Sequence, residues 1–232
     1  MTPVPASTWK GAVRTKLLKA DFHIHTEYSM DCTTPIDKII NRCLELGINC
    51  IAIADHGTIE GAMEMQSLAP FTVIVAEEVL TPHGEIMGMF LKETIPNGLS
   101  VEQTIAQIRI QDGLVCIPHA FDIFRPSAIG EKIVTEFAGQ IDVMEVFNSR
   151  SPLLRSSAKA EAFAKKHGIA RSAGSDAHTP NEIGNAYVEM LEFNDKDDFL
   201  QSLVKGKIFG HRTNPLTHFN SAWAKLKNLG RQ

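Results

Sequence analysis

The feature that most constrains this chain is an alternation. Short β-branched apolar runs take turns with segments of helical period almost from end to end. Runs at 17–24, 50–54, 71–79, 86–91, 114–117, 141–147, 170–173, 186–190 and 207–210 read as strands. Helical spacing occupies 35–46, 60–68, 100–111, 127–137, 152–167 and 195–205. Thr34-Pro35 reads as an N-cap with proline at the first helical position, and Gly47, Gly168 and Gly206 stand where helix C-caps belong. Repeated β-then-α order predicts a largely parallel sheet covered by helices. The unbroken apolar run Phe71-Thr72-Val73-Ile74-Val75-Ala76 suits a strand buried on both faces. Eight or nine strands in so short a span fit a small or distorted barrel, in one α/β domain, better than an open sheet. Residues 1–16 read as a loose leader, 17–213 as the barrel and 214–232 as a C-terminal helical tail on or near it.

Composition narrows the function classes. A formal net charge of −4 argues against a dedicated nucleic-acid binder, which carries a basic footprint. No apolar stretch approaches the roughly 20 residues that cross a bilayer, and the polar N-terminus lacks a signal-peptide core. The expected location is cytoplasmic. Cys32, Cys43, Cys50 and Cys116 form no C-x-x-C pair and read as reduced core residues, with Cys32 set apart because it adjoins a candidate ligand.

The chemistry concentrates where the strands end. Asp21-Phe22-His23-Ile24-His25 and Gly174-Ser175-Asp176-Ala177-His178 each carry a ligand pair at spacing two, which an extended strand points to one face. His23, His25, Asp31, His56, Glu78, Glu85, His119, Asp176 and His178 almost all fall at C-terminal strand ends, where parallel α/β folds build active sites. Imidazole and carboxylate without thiolate suit Zn²⁺, Mn²⁺ or Fe²⁺ in an open site. Nine donors exceed the needs of one ion and suffice for two or three if a carboxylate bridges. A lone histidine after a strand is usually a hydrogen-bonded loop residue; the conjunction of these motifs in order makes the metal reading the stronger one.

These residues carry a family resemblance. The chain resembles the PHP-domain (polymerase and histidinol phosphatase) proteins over nearly its whole length. The motifs are Asp21-Phe22-His23-Ile24-His25-Thr26 with Ser29 and Asp31, then Ala54-Asp55-His56-Gly57, then Glu77-Glu78-Val79 followed by Gly84-Glu85-Ile86-Met87-Gly88. Pro118-His119, Glu145-Val146-Phe147-Asn148 with Arg150, and Gly174-Ser175-Asp176-Ala177-His178 complete the set. The resemblance implies a distorted (β/α)7 barrel, a trinuclear metal centre and phosphoesterase activity. By position, it implies His23, His25, Glu78 and Asp176 around one ion, Glu78 bridging to a second held with Glu85 and His119, and Asp31, His56 and His178 around a third. His83 competes with Glu85 and Glu77 with Glu78; position before the Ile-Met-Gly strand and phase on the strand favour Glu85 and Glu78. Asp21 and Asp55, each beside a ligand histidine, are expected either to orient those imidazoles or to cap turns.

A phosphoesterase also needs donors for the phosphoryl oxygens. Arg125, Arg150 and Arg212 all follow strand ends, and the planar guanidinium matches phosphate bidentately. His211 is a candidate proton donor to the leaving group. His167 reads as a helix-end cation, and Lys225, Lys227 and Arg231 as a charged helix face or the border of a nucleotide entrance. The expectation is therefore a metal-dependent hydrolase of small phosphomonoesters (nucleotide, nucleoside bisphosphate or histidinol phosphate) acting through a metal-activated hydroxide. The alternatives are an exonuclease on short oligonucleotides and a non-catalytic PHP-type structural module. An amide hydrolase of similar fold is weaker, because no lysine stands where a carboxylated one would.

Overall fold

In the computed structural model of the protein, residues 17–214 are described. The expected leader and the tail beyond Asn214, with His218, Lys225, Lys227 and Arg231, lie outside them. Nine strands form one sheet: β1 Leu17–Ile24, β2 Cys50–His56, β3 Thr72–Thr81, β4 Gly84–Met89, β5 Leu114–Ile117, β6 Val143–Asn148, β7 Ala170–Gly174, β8 Ala186–Leu191 and β9 Lys207–Gly210. Six α-helices separate them: α1 Ile36–Leu46, α2 Glu60–Leu68, α3 Val101–Ile110, α4 Glu131–Glu136, α5 Leu154–His167 and α6 Lys196–Val204. Among the described residues every strand and helix expected from the sequence is present, with ends shifted by a few residues.

The strand order is β7-β6-β5-β4-β3-β2-β1-β8-β9. β4 runs antiparallel to both β3 and β5, and β8 antiparallel to β1, so seven of the nine strands share one direction. The sheet curls until β7 reaches β1. The lower half of β1 pairs with β8, while its upper half bonds to the segment just after β7. There the Asp176 N–H donates to His23 O at 2.8 Å and the His25 N–H to Ala177 O at 3.0 Å. The result is a distorted (β/α)7 barrel whose seam passes through the two ligand-pair motifs.

Two apolar layers hold it together. Outside the sheet, Ile36, Ile39 and Cys43 of α1, Ala62 and Met65 of α2, and Ile105 and Ile108 of α3 pack against the strands' outer faces. Inside, Leu18, Ala20, Cys50, Ala52, Ile74 and Met87 fill the barrel. The fully buried Phe199 of α6 joins them, its ring 5.4 Å from Phe22 and 5.2 Å from Phe90. Burial of this much aliphatic and aromatic surface, at about 25 cal/mol per Å², is the main stabilising term.

Three local expectations need correction. Thr34 does not cap α1: its hydroxyl donates to His178 O at 2.8 Å, and Pro35 occupies the N-cap position. Gly47 and Gly168 do end their helices in the left-handed conformation, but α6 ends on Lys205 in ordinary helical geometry. Gly206 is required instead by space, since a Cβ there would stand 2.7 Å from Val188. α4 starts four residues late because the Ser127 carbonyl accepts the Glu85 N–H at 2.8 Å, which holds that stretch as a turn against β4.

Candidate metal centre

Backbone irregularities aim the ligand pairs. Along β1, Leu18, Ala20 and Phe22 face the barrel interior, so simple alternation would turn His23 and His25 outward. The pairing with β2 shifts register between Asp21 and Ile24, after which Ile24 faces the helices and both histidines enter the barrel mouth. A second shift in β6, between Glu145 and Phe147, lies directly across. Gly174 lets the strands close at this point: a Cβ would stand 2.2 Å from His23 Cβ and 2.6 Å from Glu145 Oε1. His119 and Asp176 adopt positive φ, at 30° and 55°, as the chain turns sharply off β5 and β7.

All nine candidate ligands converge. His23 Nε2 lies 3.2 Å from His25 Nε2 and 3.3 Å from Glu78 Oε2. His25 Nε2 is 3.4 Å from both Glu78 Oε2 and Asp176 Oδ1. Ligands roughly 2.0–2.1 Å from a tetrahedral ion stand about 3.3 Å from one another, so these separations suit a shared cation. The other Glu78 oxygen is 3.0 Å from His119 Nε2, which also approaches Glu85 Oε2 at 3.3 Å. His56 Nδ1 faces Glu78 and Glu85 at 3.5 and 3.4 Å, and its Nε2 faces Asp31 at 3.4 Å. His178 Nε2 meets the other Asp31 oxygen at 3.2 Å, and its Nδ1 lies 2.9 Å from Asp176 O.

The competing residues point elsewhere. Glu77 faces away from the cluster and accepts the Ile95 N–H at 2.9 Å, while His83 sits exposed in the β3–β4 turn. The Cys32 thiol bonds to the carbonyls of His178 and His25, and burial pushes it up to about 12, so it is not a thiolate ligand.

The electrostatics fit cations. Burial, then the neighbouring His178, pushes His25 down to about 3, which keeps its lone pair available. Burial would raise Glu78 and Asp176, but His23 and other imidazoles around Glu78, and Arg125 with His23 around Asp176, hold both well below the usual carboxylate range. Burial lowers His56, yet Asp31 and Glu78 outweigh it and carry the group up to about 9. Among the described residues, Glu78 Oε2, Glu85 Oε2, Asp176 Oδ1 and His119 Nδ1 are buried without a hydrogen-bond partner. Buried carboxylate oxygens left unpaired are costly, and three of them converging on imidazoles form a set that divalent ions would satisfy. Three groups could each hold an ion: His23, His25 and Glu78; His56, Glu78 and Glu85; and His25, Asp31, His56 and His178.

The orienting carboxylate is not the expected one. Asp21 accepts backbone N–H groups of Ser175 and Gly184 at 2.9 and 3.0 Å, tying the seam, and Asp55 accepts the Thr26 N–H and hydroxyl, both at 2.6 Å. Both therefore cap turns, and neither touches an imidazole nitrogen. Glu145 takes the orienting position: its Oε1 accepts from His23 Nδ1 at 3.0 Å, and its Oε2 accepts the His119 N–H and the Asn148 amide. The sequence signal was the Glu145-to-Arg150 motif, in which Glu145 itself carried no assigned role. Glu182, also unforeseen, accepts from Arg150 Nε at 2.9 Å and from the His178 N–H at 3.2 Å.

Above the cluster opens a cleft of about 640 Å³ lined by Asp31, His56, Glu78, Glu85, Arg125 and Arg150, with apolar side chains higher on its walls. Arg125 reaches down to Asp176, and Arg150 contacts His178 Nδ1 at 2.9 Å. His211 and Arg212 do not line this cleft, although Arg212 stands near enough to the lining residue Asp122 to feel its charge. His211 is exposed just past β9, with its N–H on Asn185 O, and the Arg212 guanidinium lies over the Phe147 ring. Among the described residues no helix is long and apolar enough to cross a membrane.

A largely parallel barrel with a histidine–carboxylate cluster at the C-terminal strand ends defines a class: metal-binding (β/α) proteins of the kind that do hydrolytic chemistry. The PHP domain model matches residues 21–77 and the PHP-associated model residues 155–208. The uncharacterized protein MJ0417 of Methanocaldococcus jannaschii is 34% identical over 180 residues, spanning 76% of this chain and 72% of its own. A second from that organism, MJ1587, is 38% identical over 145 residues, covering 57% of this chain and 82% of its own. The chain belongs to the PHP-domain family. Its fold is shared with a two-domain protein of Bacteroides vulgatus described as containing a predicted PHP-like metal-dependent phosphoesterase, at TM-score 0.71 and 15% identity. That likeness covers 85% of this chain and 66% of the other.

Proposed function

We propose that this protein is a metal-dependent phosphoesterase acting on small phosphomonoesters, with two or three divalent ions (Zn, Mn or Fe). The observation that carries the reading is the convergence of nine imidazole and carboxylate side chains around buried, unpaired carboxylate oxygens. His23, His25, Glu78 and Asp176 would hold one ion, Glu78 with Glu85 and His119 a second, and Asp31, His56 and His178 a third. When bound, such ions supply Lewis acidity and a water made nucleophilic at neutral pH.

The chain's own groups position the ester. Arg125 and Arg150 both line the cleft above the cluster, with guanidinium forks that match phosphoryl oxygens. Arg150 is fixed by Glu182, so it presents a preset donor. Arg125 belongs to the loop after β5, whose turns rest on the Asp122 carbonyl and carboxylate. His211 lies outside the cleft lining, so we assign the leaving-group proton to no side chain.

Metal quantification on purified protein, with phosphate release from a panel of nucleotides, sugar phosphates and short oligonucleotides, tests the reading. At least two ions per chain and release from monoesters are expected. Less than one ion per chain and no release after adding Mn²⁺ or Zn²⁺ would refute it.

A further inference from the structure

The cleft changes character with height. Its floor is charged, but its mouth is walled by Met30, Leu80, Phe124, Pro126 and Pro152, contributed by four different chain segments. Phe124 is 65% exposed and Leu80 46%. Large exposed apolar residues are ordinarily scattered singly over a monomer. Here several line the cleft that leads to the metal cluster. Folding does not require it of Phe124: the same loop already anchors itself through Phe121, buried against the Phe163 ring at 5.6 Å. The turn that presents Phe124 is held in place, its N–H donating to Asp122 Oδ1 at 3.0 Å.

Resting on the phosphoesterase reading, we infer that the alcohol of the substrate carries a flat, apolar ring system, held in the mouth against Phe124 and Leu80, while its phosphate reaches the charged floor. An aromatic ring and two prolines offer stiff, flat faces that favour stacking over the coiling of an alkyl chain. Against these five apolar side chains a polyol's hydroxyls would find no partner, which is unfavourable, although Asn97, Asp122 and Ser127 also line the cleft. Phe124 and Leu80 are thus specificity-determining residues, distinct from the groups below that bind the phosphate.

The test compares 2-naphthylmethyl phosphate, glycerol 3-phosphate and heptyl phosphate as substrates of the Mn²⁺-loaded protein. Calorimetric binding of naphthylmethylphosphonate and methylphosphonate runs alongside it. The naphthyl ester should be preferred by about tenfold in kcat/KM, mostly through KM, and its phosphonate should bind about tenfold tighter. Phe124→Ser and Leu80→Ser should each erode that preference several-fold, and Ile110→Ser, exposed on α3 far from the cleft, should leave it intact. Equal use of the glycerol or heptyl ester, or variants that keep the preference, would overturn the inference. Should no ester be hydrolysed, the phosphoesterase reading fails, and the two phosphonates still decide whether the mouth selects a ring.

Discussion

Glu145→Gln is the most informative single substitution, because it changes one atom and tests how the site is organised. Glu145 is buried and its carboxylate only accepts: Oε1 from His23 Nδ1 at 3.0 Å, Oε2 from the His119 N–H and the Asn148 amide. This fixes the proton of His23 on Nδ1 and leaves Nε2 to face His25, Glu78 and Asp176. A glutamine amide cannot satisfy both sides. With its NH₂ toward His23, Nδ1 must accept, and the proton moves to Nε2, where a ligand lone pair is needed. With its NH₂ on the other side, it confronts two donors. Losing one hydrogen bond to a charged group costs about 1.5–3 kcal/mol, which for a domain of this size lowers the melting temperature by roughly 3–12 °C. Loss of an outer partner of a ligating histidine typically weakens metal binding about 10–100-fold. Thermal melts of the ion-free protein and competition titrations of Mn²⁺ or Zn²⁺ against a chelator measure both. Wild-type metal affinity in Glu145→Gln would refute the argument that this carboxylate sets the His23 tautomer.

Other outcomes follow from the same geometry. Asp176→Ala and His25→Ala should each abolish phosphate release, dropping it at least a hundredfold, while circular dichroism stays that of the folded barrel; retained turnover in either would remove it from the site. Chelation should destabilise the protein, since an ion at about 100 times its Kd contributes roughly 2.7 kcal/mol per site, read as a melting temperature lower by 5–10 °C per site vacated; an unchanged melt would argue against ions in this cluster. Gly174→Ala forces a Cβ to within 2.2 Å of His23 Cβ, and should cost several kcal/mol in urea denaturation or displace His23 enough to lose metal binding; near-neutral stability with full metal binding would contradict the seam as described. Burial pushes Glu77 up to about 7, so between the ordinary glutamate value and pH 7 the folded state holds the extra proton and stability falls as pH rises. Glu77→Gln should therefore add on the order of 1–3 kcal/mol at pH 8 and little at pH 4.5; equal effects at both would show that the carboxyl is not perturbed.

The sequence by itself determined much of this protein. Strand and helix placement followed from hydrophobic period, because 3.6-residue and two-residue repeats bury different faces. The nine candidate ligands could be named because imidazoles and carboxylates stand just past apolar runs in a fixed order. What the linear pattern could not decide was direction. Alternation along β1 would have turned His23 and His25 outward; the register shift against β2 brings them in, and such a shift belongs to a pair of strands rather than to either one. The same holds for Glu145 replacing Asp21 and Asp55 as the carboxylate that orients His23: adjacency in sequence favoured the aspartates, but strand neighbours across the barrel point at one another while chain neighbours diverge. Likewise Thr34, which reads as a helix cap, spends its hydroxyl on His178, because closing the barrel brings that buried carbonyl within reach. His211 and Arg212 looked equivalent to Arg125 and Arg150 in the sequence, each following a strand. Only the tertiary structure separates the two pairs: Arg125 and Arg150 line the cleft, while Arg212 lies over the Phe147 ring and His211 is exposed.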